Sequence, residues 1–175
     1  MNHKSALLII DAQVNMFAEG FPVYDGEKIL NTLKSLITRA RSAQMQVIYV
    51  QNNGGEFDPD IHGTPGWEIH PALKPEPGDC IIQKYTPDSF NETNLQSILD
   101  QFQIGALIIA GMQTDMCVNA TCRRAHALGY DVTLVNDGHS TVDSGGLTAA
   151  QIIAQHNDAL GTIVKAEEAK NVTFI

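Results

Sequence analysis

The chain has 175 residues, 43% of them hydrophobic and 6% aromatic, which is about one domain of sequence with enough apolar material for a proper core. Its net charge of −9, from 11 basic and 20 acidic side chains, argues against a nucleic acid or an anionic membrane as partner, because phosphates attract basic patches. Three cysteines, Cys80, Cys117 and Cys122, form no CxxC pair and fit neither a disulfide framework nor a zinc knuckle.

The first apolar run, Ala6–Ile10, stops at Asp11 and is too short for a secretory h-region or a membrane span, so a cytoplasmic protein is expected. "ALLIID" (Ala6–Asp11) has the content of a buried strand. "KILNTLKSLITRARSA" then sets Ile29, Leu30, Leu33, Leu36, Ile37 and Ala40 at helical spacing. "QVIYVQ" (Gln46–Gln51) and "DCIIQK" (Asp79–Lys84) predict the second and third strands. Between them, Asn52 to Gly78 holds five of the seven prolines and the only Trp; "HGTPGWEIHP" within it reads as an ordered pocket wall. "ETNLQSILDQFQI" repeats the helical stripe with Leu95, Ile98, Leu99 and Phe102. "ALIIAG" is the fourth strand, and a helix after Thr114 carries Val118, Cys122, Ala125 and Leu128 before Gly129 stops it. "DVTLVND" is the fifth strand, "LTAAQIIAQHNDAL" a helix ended by Gly161, and "TIVKA" the sixth strand. Strands that alternate with helices predict one α/β domain over residues 1–175, a three-layer αβα open sheet of about six parallel strands in a Rossmann-like order.

In such sheets the ligand crevice lies beyond the carboxyl ends of the strands, where strand order reverses. The chain delivers Asp11 there from strand one, Lys84 from strand three and Cys117 through the turn "GMQTDM" after strand four. A carboxylate, an ammonium and a thiol suit one another. A helix N-terminus and a neighbouring cation would both lower the pKa of Cys117. Asp11 could take the thiol proton and deliver it to a leaving amine, and Lys84 would offset the buried charge of Asp11.

"LLIIDAQVNMF", the Lys in "IIQKYTPDSF", and "AGMQTDMCVNATCRRAHALGY" together resemble the isochorismatase-like cysteine hydrolases, and the resemblance runs over nearly the whole chain, through "VNDGHST" to the final helix. It implies a six-stranded parallel sheet, an Asp–Lys–Cys triad at Asp11, Lys84 and Cys117, and a non-proline cis peptide at Met112–Gln113. It also implies an oxyanion hole made by the N–H groups of Gln113 and Cys117. Members that cleave isochorismate lack the cysteine, so Cys117 points to hydrolysis of a C–N bond in a small amide or lactam. Members with a metal carry an Asp-x-His pair after strand two. Here Asn52 and Asn53 stand in its place and Asp58, Asp60 and His62 lie nearby without that pattern, so no metal and no cofactor are expected. A homodimer or homotetramer is implied by the same resemblance.

Around this triad Gln13, Phe17, Trp67, Tyr85 and Phe90 are the candidate substrate contacts. Cys122 reads as core, Asp115 as a helix cap, Asp137 as a brace of the sheet edge, and His70, His139 and His156 as satisfied histidines rather than bases. Two other classes compete. One is a binding or regulatory protein that keeps the thiol without turnover. The other is a redox sensor, which would need a resolving cysteine within reach of Cys117, and a five-residue helical spacing points Cys122 away.

Overall fold

The fold is that of a computed structural model, which describes residues 4–174. Six parallel strands form one sheet: β1 (Lys4–Ile10), β2 (Gln46–Asn52), β3 (Cys80–Lys84), β4 (Ile104–Met112), β5 (Asp131–Ser140) and β6 (Lys165–Glu167). Their order is β3-β2-β1-β4-β5-β6, so the direction of winding reverses between β1 and β4. Four helices cover it: α1 (Gly26–Ser42), α2 (Leu95–Phe102), α3 (Asn119–Ala127) and α4 (Ala149–Gly161). This is the doubly wound αβα architecture that the strand–helix alternation predicts.

Alternation along β1 decides which layer each side chain joins. Ala6, Leu8 and Ile10 pack with Leu95 and Leu99 of α2, Cys122 and Ala125 of α3, and Leu160 of α4. Leu7 and Ile9 face the other way, onto Ile29, Leu33, Leu36, Ile37 and Ala40 of α1. Both faces of β1 are thus dry, as a central parallel strand requires. The stripe predicted for α3 is one residue too long, since Leu128 is 41% exposed. α2 begins at Leu95 rather than at Glu92, because the Thr93 hydroxyl accepts from Leu95 N–H and donates to Ser89 O. β6 starts later than "TIVKA", because Thr162 caps the end of α4, its hydroxyl donating to Ala159 O, and the N–H groups of Ile163 and Val164 turn back to Leu160 O.

At the switch point the backbones of β1 and β4 approach closely. Gly111 has φ +128, and a Cβ there would sit 2.1 Å from the carbonyl oxygen of Ile10. The ladder between β4 and β5 slips at this place, from Ile109↔Leu134 to Gly111↔His139. Gly111→Ala is expected to destabilise the protein by about 3 kcal/mol or more, read as a drop in the chemical-denaturation midpoint, because the new methyl meets backbone on one side and a positive φ on the other.

Candidate active site

Three strand ends meet at this edge. Asp11 follows β1 directly, with φ 48, a left-handed conformation that Asp tolerates better than most residues, and its N–H donates to Val50 O. Lys84 ends β3, paired in register with Asn52 at the end of β2. The turn after β4 starts at a cis Met112–Gln113 bond and runs through a single π-turn, Thr114–Val118, into α3.

The Lys84 ammonium is the hub. Its Nζ lies 3.0 Å from Asp11 Oδ2, donates to Asn52 Oδ1 at 2.9 Å and to Cys117 Sγ at 3.2 Å. Lys84 is fully buried and Asp11 nearly so. Three acceptors use all three ammonium protons, which fixes the direction of each. Asp11 Oδ1 is buried without a hydrogen-bond partner among the described residues. That oxygen is a free acceptor beside the thiol.

Burial raises the Asp11 pKa above the usual carboxylate value of 3.8 and outweighs the attraction of Lys84. For Lys84 the balance runs the other way: burial lowers its pKa, but the charges of Asp11 and Cys117 and the hydrogen bonds to them hold it above 10.5. Cys117 corrects an expectation. Its pKa is pushed up to about 12, by burial first and the charge of Asp11 second, against the pull of Lys84. The helix-terminus argument misjudged the site: the cysteine sits inside a π-turn ahead of α3, and the nearest carboxylate opposes the cation. The resting sulfur is therefore a thiol with a proton acceptor at hand.

Asn52 is the residue that sequence reasoning missed as part of the site. Its side-chain amide donates to Asp60 Oδ2 at 2.8 Å while its oxygen receives Lys84, so Asp60 orients Asn52 and Asn52 orients the ammonium. The signal was present, since β2 lies between β1 and β3 and its last residue had to reach the same edge as Asp11 and Lys84. Asn52→Ala is expected to lower kcat about tenfold or more, because Lys84 would lose one of its three fixed directions; steady-state kinetics beside an unchanged far-UV spectrum would check it.

The candidate substrate contacts divide. Gln13 is completely buried, and its amide is consumed by backbone: Nε2 donates to Asn52 O and Trp67 O, and Oε1 accepts from Asn52 N–H. It ties the loop after β2 to β1 and presents no free group. Trp67 donates from Nε1 to Asn53 Oδ1 at 2.7 Å and lies against His62, with ring centroids 4.4 Å apart. The loop from Asn53 to His70 is thus ordered by its own contacts. Phe17 meets His70 edge-on at 5.1 Å. Phe90 packs with Tyr130 on the same core cluster that Cys117 touches. Tyr85 is 74% exposed, outside the triad.

The neighbouring acids and histidines have other work. Asp58 accepts from Gly55 N–H and Asp60 from Asn52, and no group of three or more His, Cys, Asp or Glu residues among the described residues could hold a metal. Asp115 does not cap the helix; its carboxylate accepts from the Thr141 hydroxyl at 2.7 Å and so fastens the nucleophile turn to the segment after β5. His139 is buried between Thr114 Oγ1 and Asn157 Oδ1, each at 2.8 Å. The Asn157 amide donates to Asn136 O, so its oxygen must face His139, Nε2 carries the proton and Nδ1 accepts from Thr114. Asp137 accepts from Ala169 N–H, bracing the sheet edge as expected. Among the described residues no helix is long and apolar enough to cross a membrane.

Comparison with known proteins gives the family and the fold. The family model described as isochorismatase domain matches residues 5–168. A streptothricin hydrolase of Streptomyces noursei is 36% identical over 138 residues, 79% of this chain and 50% of the relative, so the chain spans about half the length of that protein. A ureidoacrylate amidohydrolase of Caulobacter segnis is 28% identical over 170 residues, 76% of this chain and 71% of the relative. The crystal structure of an isochorismatase family protein superposes with a TM-score of 0.87 at 33% identity, over 94% of this chain and 98% of the other. With its doubly wound sheet and a family match from residue 5 to residue 168, the chain belongs to the isochorismatase domain family.

Proposed function

We propose that the protein is a cysteine hydrolase that cleaves the C–N bond of a small amide or lactam through a thioester on Cys117. The observation that carries this reading is the single buried ammonium of Lys84 holding Asp11 at 3.0 Å and the Cys117 sulfur at 3.2 Å. The names of the two relatives above, a hydrolase and an amidohydrolase, support the same bond type.

In this mechanism Asp11 takes the thiol proton as Cys117 Sγ adds to the carbonyl carbon, and the N–H groups of Gln113 and Cys117 receive the developing oxyanion. Asp11 returns the proton to the departing nitrogen, the C–N bond breaks, and the acyl group stays on sulfur. Asp11 then takes a proton from water, whose oxygen attacks the thioester, and the sulfur leaves and recovers that proton as a thiol. Lys84 remains an ammonium throughout and stabilises whichever of Asp11 and Cys117 is negative. All three cysteines are free thiols, which suits the reducing, cytoplasmic setting that belongs to this proposal, as does assembly into a homodimer or homotetramer.

Cys117→Ala is expected to abolish turnover of any accepted amide while the fold persists, since only the sulfur is removed from a preformed site. An electrophilic amide analogue followed by peptide mass spectrometry should place the adduct on Cys117. An adduct on Cys80 or Cys122, or retained turnover in the alanine variant, would overturn the mechanism.

A further inference from the structure

The segments that leave the carboxyl ends of β1 to β5 surround the crevice. Residues 11–25 hold three acidic side chains, residues 53–70 four, residues 85–94 two, and residues 113–118 and 141–148 one each. None of the five contains a Lys or an Arg. About a third of the chain therefore carries more than half of its 20 acidic residues and none of its 11 cations. Two of these acids are relieved by ion pairs: Asp11 by Lys84, and Asp88 by Arg124 of α3 at 3.7 Å. Glu19, Asp25, Glu56 and Glu92 are exposed and have no ion pair among the described residues. Burial lowers the pKa of His70, whose Nδ1 accepts from Ala72 N–H, so that ring does not offset this charge above neutral pH.

The interior of the crevice has the same bias. Lys84, the cation at the end of β3, has all three protons committed to protein acceptors. Among the described residues Asp11 Oδ1, on the carboxylate beside Cys117, is buried with no hydrogen-bond partner. What a ligand meets at Cys117 is a spare acceptor and no free cation. Recognition of a substrate carboxylate calls for an Arg or Lys fork aimed at it, which these five segments lack.

We propose that the Cys117 site takes substrates bearing a positive charge, such as an amide or lactam with a pendant ammonium, and turns away those bearing a carboxylate. The inference rests on the hydrolase reading for the bond cleaved but not for the sign of the field. A one-sign, low-dielectric cleft concentrates counter-charged ligands and repels the rest by tenfold or more at low salt.

The sign can be read without turnover. Two thiol-directed methanethiosulfonates, one with a trimethylammonium tail and one with a sulfonate tail, are reacted with the whole protein at pH 8. Each rate at the Cys117 peptide is divided by the same reagent's rate with free cysteine. The cationic reagent is expected to be favoured about tenfold or more at low ionic strength. The preference should collapse at about 0.5 M salt, where the Debye length falls to a few ångströms, and shrink in a Glu19→Lys/Glu56→Lys variant. A ratio of one or below, or one indifferent to salt, overturns the proposal.

A matched series of amides with ammonium, neutral and carboxylate tails then gives kcat/KM, expected to fall in that order; faster cleavage of the carboxylate member also overturns it. If none of the three is cleaved, the hydrolase reading fails by itself. The charge preference is then decided by protection of Cys117 from iodoacetamide: protection by the ammonium amide alone supports it, and equal or better protection by the carboxylate amide overturns it.

Discussion

Asp11→Asn is expected to lower kcat about a thousandfold while leaving the backbone undisturbed. Asn tolerates the left-handed φ of 48 at this position as readily as Asp does, so local strain does not confound the result. What is lost is the carboxylate acceptor beside the thiol, and a positioned general base contributes about 10² to 10⁴ in rate. Activity of the wild type should also fall as pH drops through the Asp11 pKa. The carboxylate form is the competent one and burial raises that pKa, so the acid limb of kcat/KM is expected above 3.8, the ordinary value.

The same substitution has a thermodynamic signature. Lys84 has no exposed surface, so removing its counter-charge leaves an ammonium buried among neutral acceptors, which costs about 3–5 kcal/mol. Lys84→Met makes the converse fault, leaving Asp11 to be buried alone or protonated. In the double variant Asp11→Asn/Lys84→Met neither charge remains. Its stability is expected to exceed the sum of the two single losses by about 2 kcal/mol, a coupling within the range for residues in one ion-pair network. Denaturant midpoints for the four proteins give the cycle. Additive losses would mean that the 3.0 Å pair is not what keeps these two charges inside the protein.

The parts legible in the sequence were those that obey periodicity and strand-end logic. Leu33, Leu36 and Ile37 at helical spacing placed α1 on the sheet, and an apolar run cut off by Asp11 marked where β1 opens onto the crevice. The less legible parts depended on partners far apart in the chain. Gln13 looked like a pocket residue because it follows Asp11, yet its amide is tied to backbone 39 and 54 positions away. Asp115 has the residue type and placement of an N-cap, but Thr141, 26 positions on, offers it a hydroxyl. Local propensity describes the bonds available within one turn, and in these cases a tertiary donor competed successfully. Asn52 shows the opposite failure: the strand-end rule that selected Asp11 and Lys84 applied equally to it, but in the sequence it stood out only for occupying the place of a metal-binding residue.

The electrostatic error at Cys117 leads to the other large effect expected. With its pKa pushed up to about 12, Cys117 is far less ionised at neutral pH than an ordinary thiol, of which a few per cent is thiolate. Alkylation of Cys117 by iodoacetamide in the absence of substrate should therefore be orders of magnitude slower than that of a free thiol and should rise about tenfold per pH unit through pH 9, with no plateau. In Asp11→Asn the second-largest influence raising the sulfur's pKa is removed while Lys84 stays, so the pKa of Cys117 falls and its alkylation at neutral pH accelerates even as amide turnover collapses. These opposite movements separate two roles that a static triad leaves merged. If Asp11 served mainly to ionise the resting sulfur, the Asn variant would lose alkylation and turnover together. If Asp11 is a base that acts only as the carbonyl is attacked, it suppresses the free thiolate and guards the sulfur from adventitious electrophiles until a substrate carbonyl is in place. The rise of Cys117 above the ordinary thiol value favours the second role, and the iodoacetamide rate of one isosteric variant decides between them.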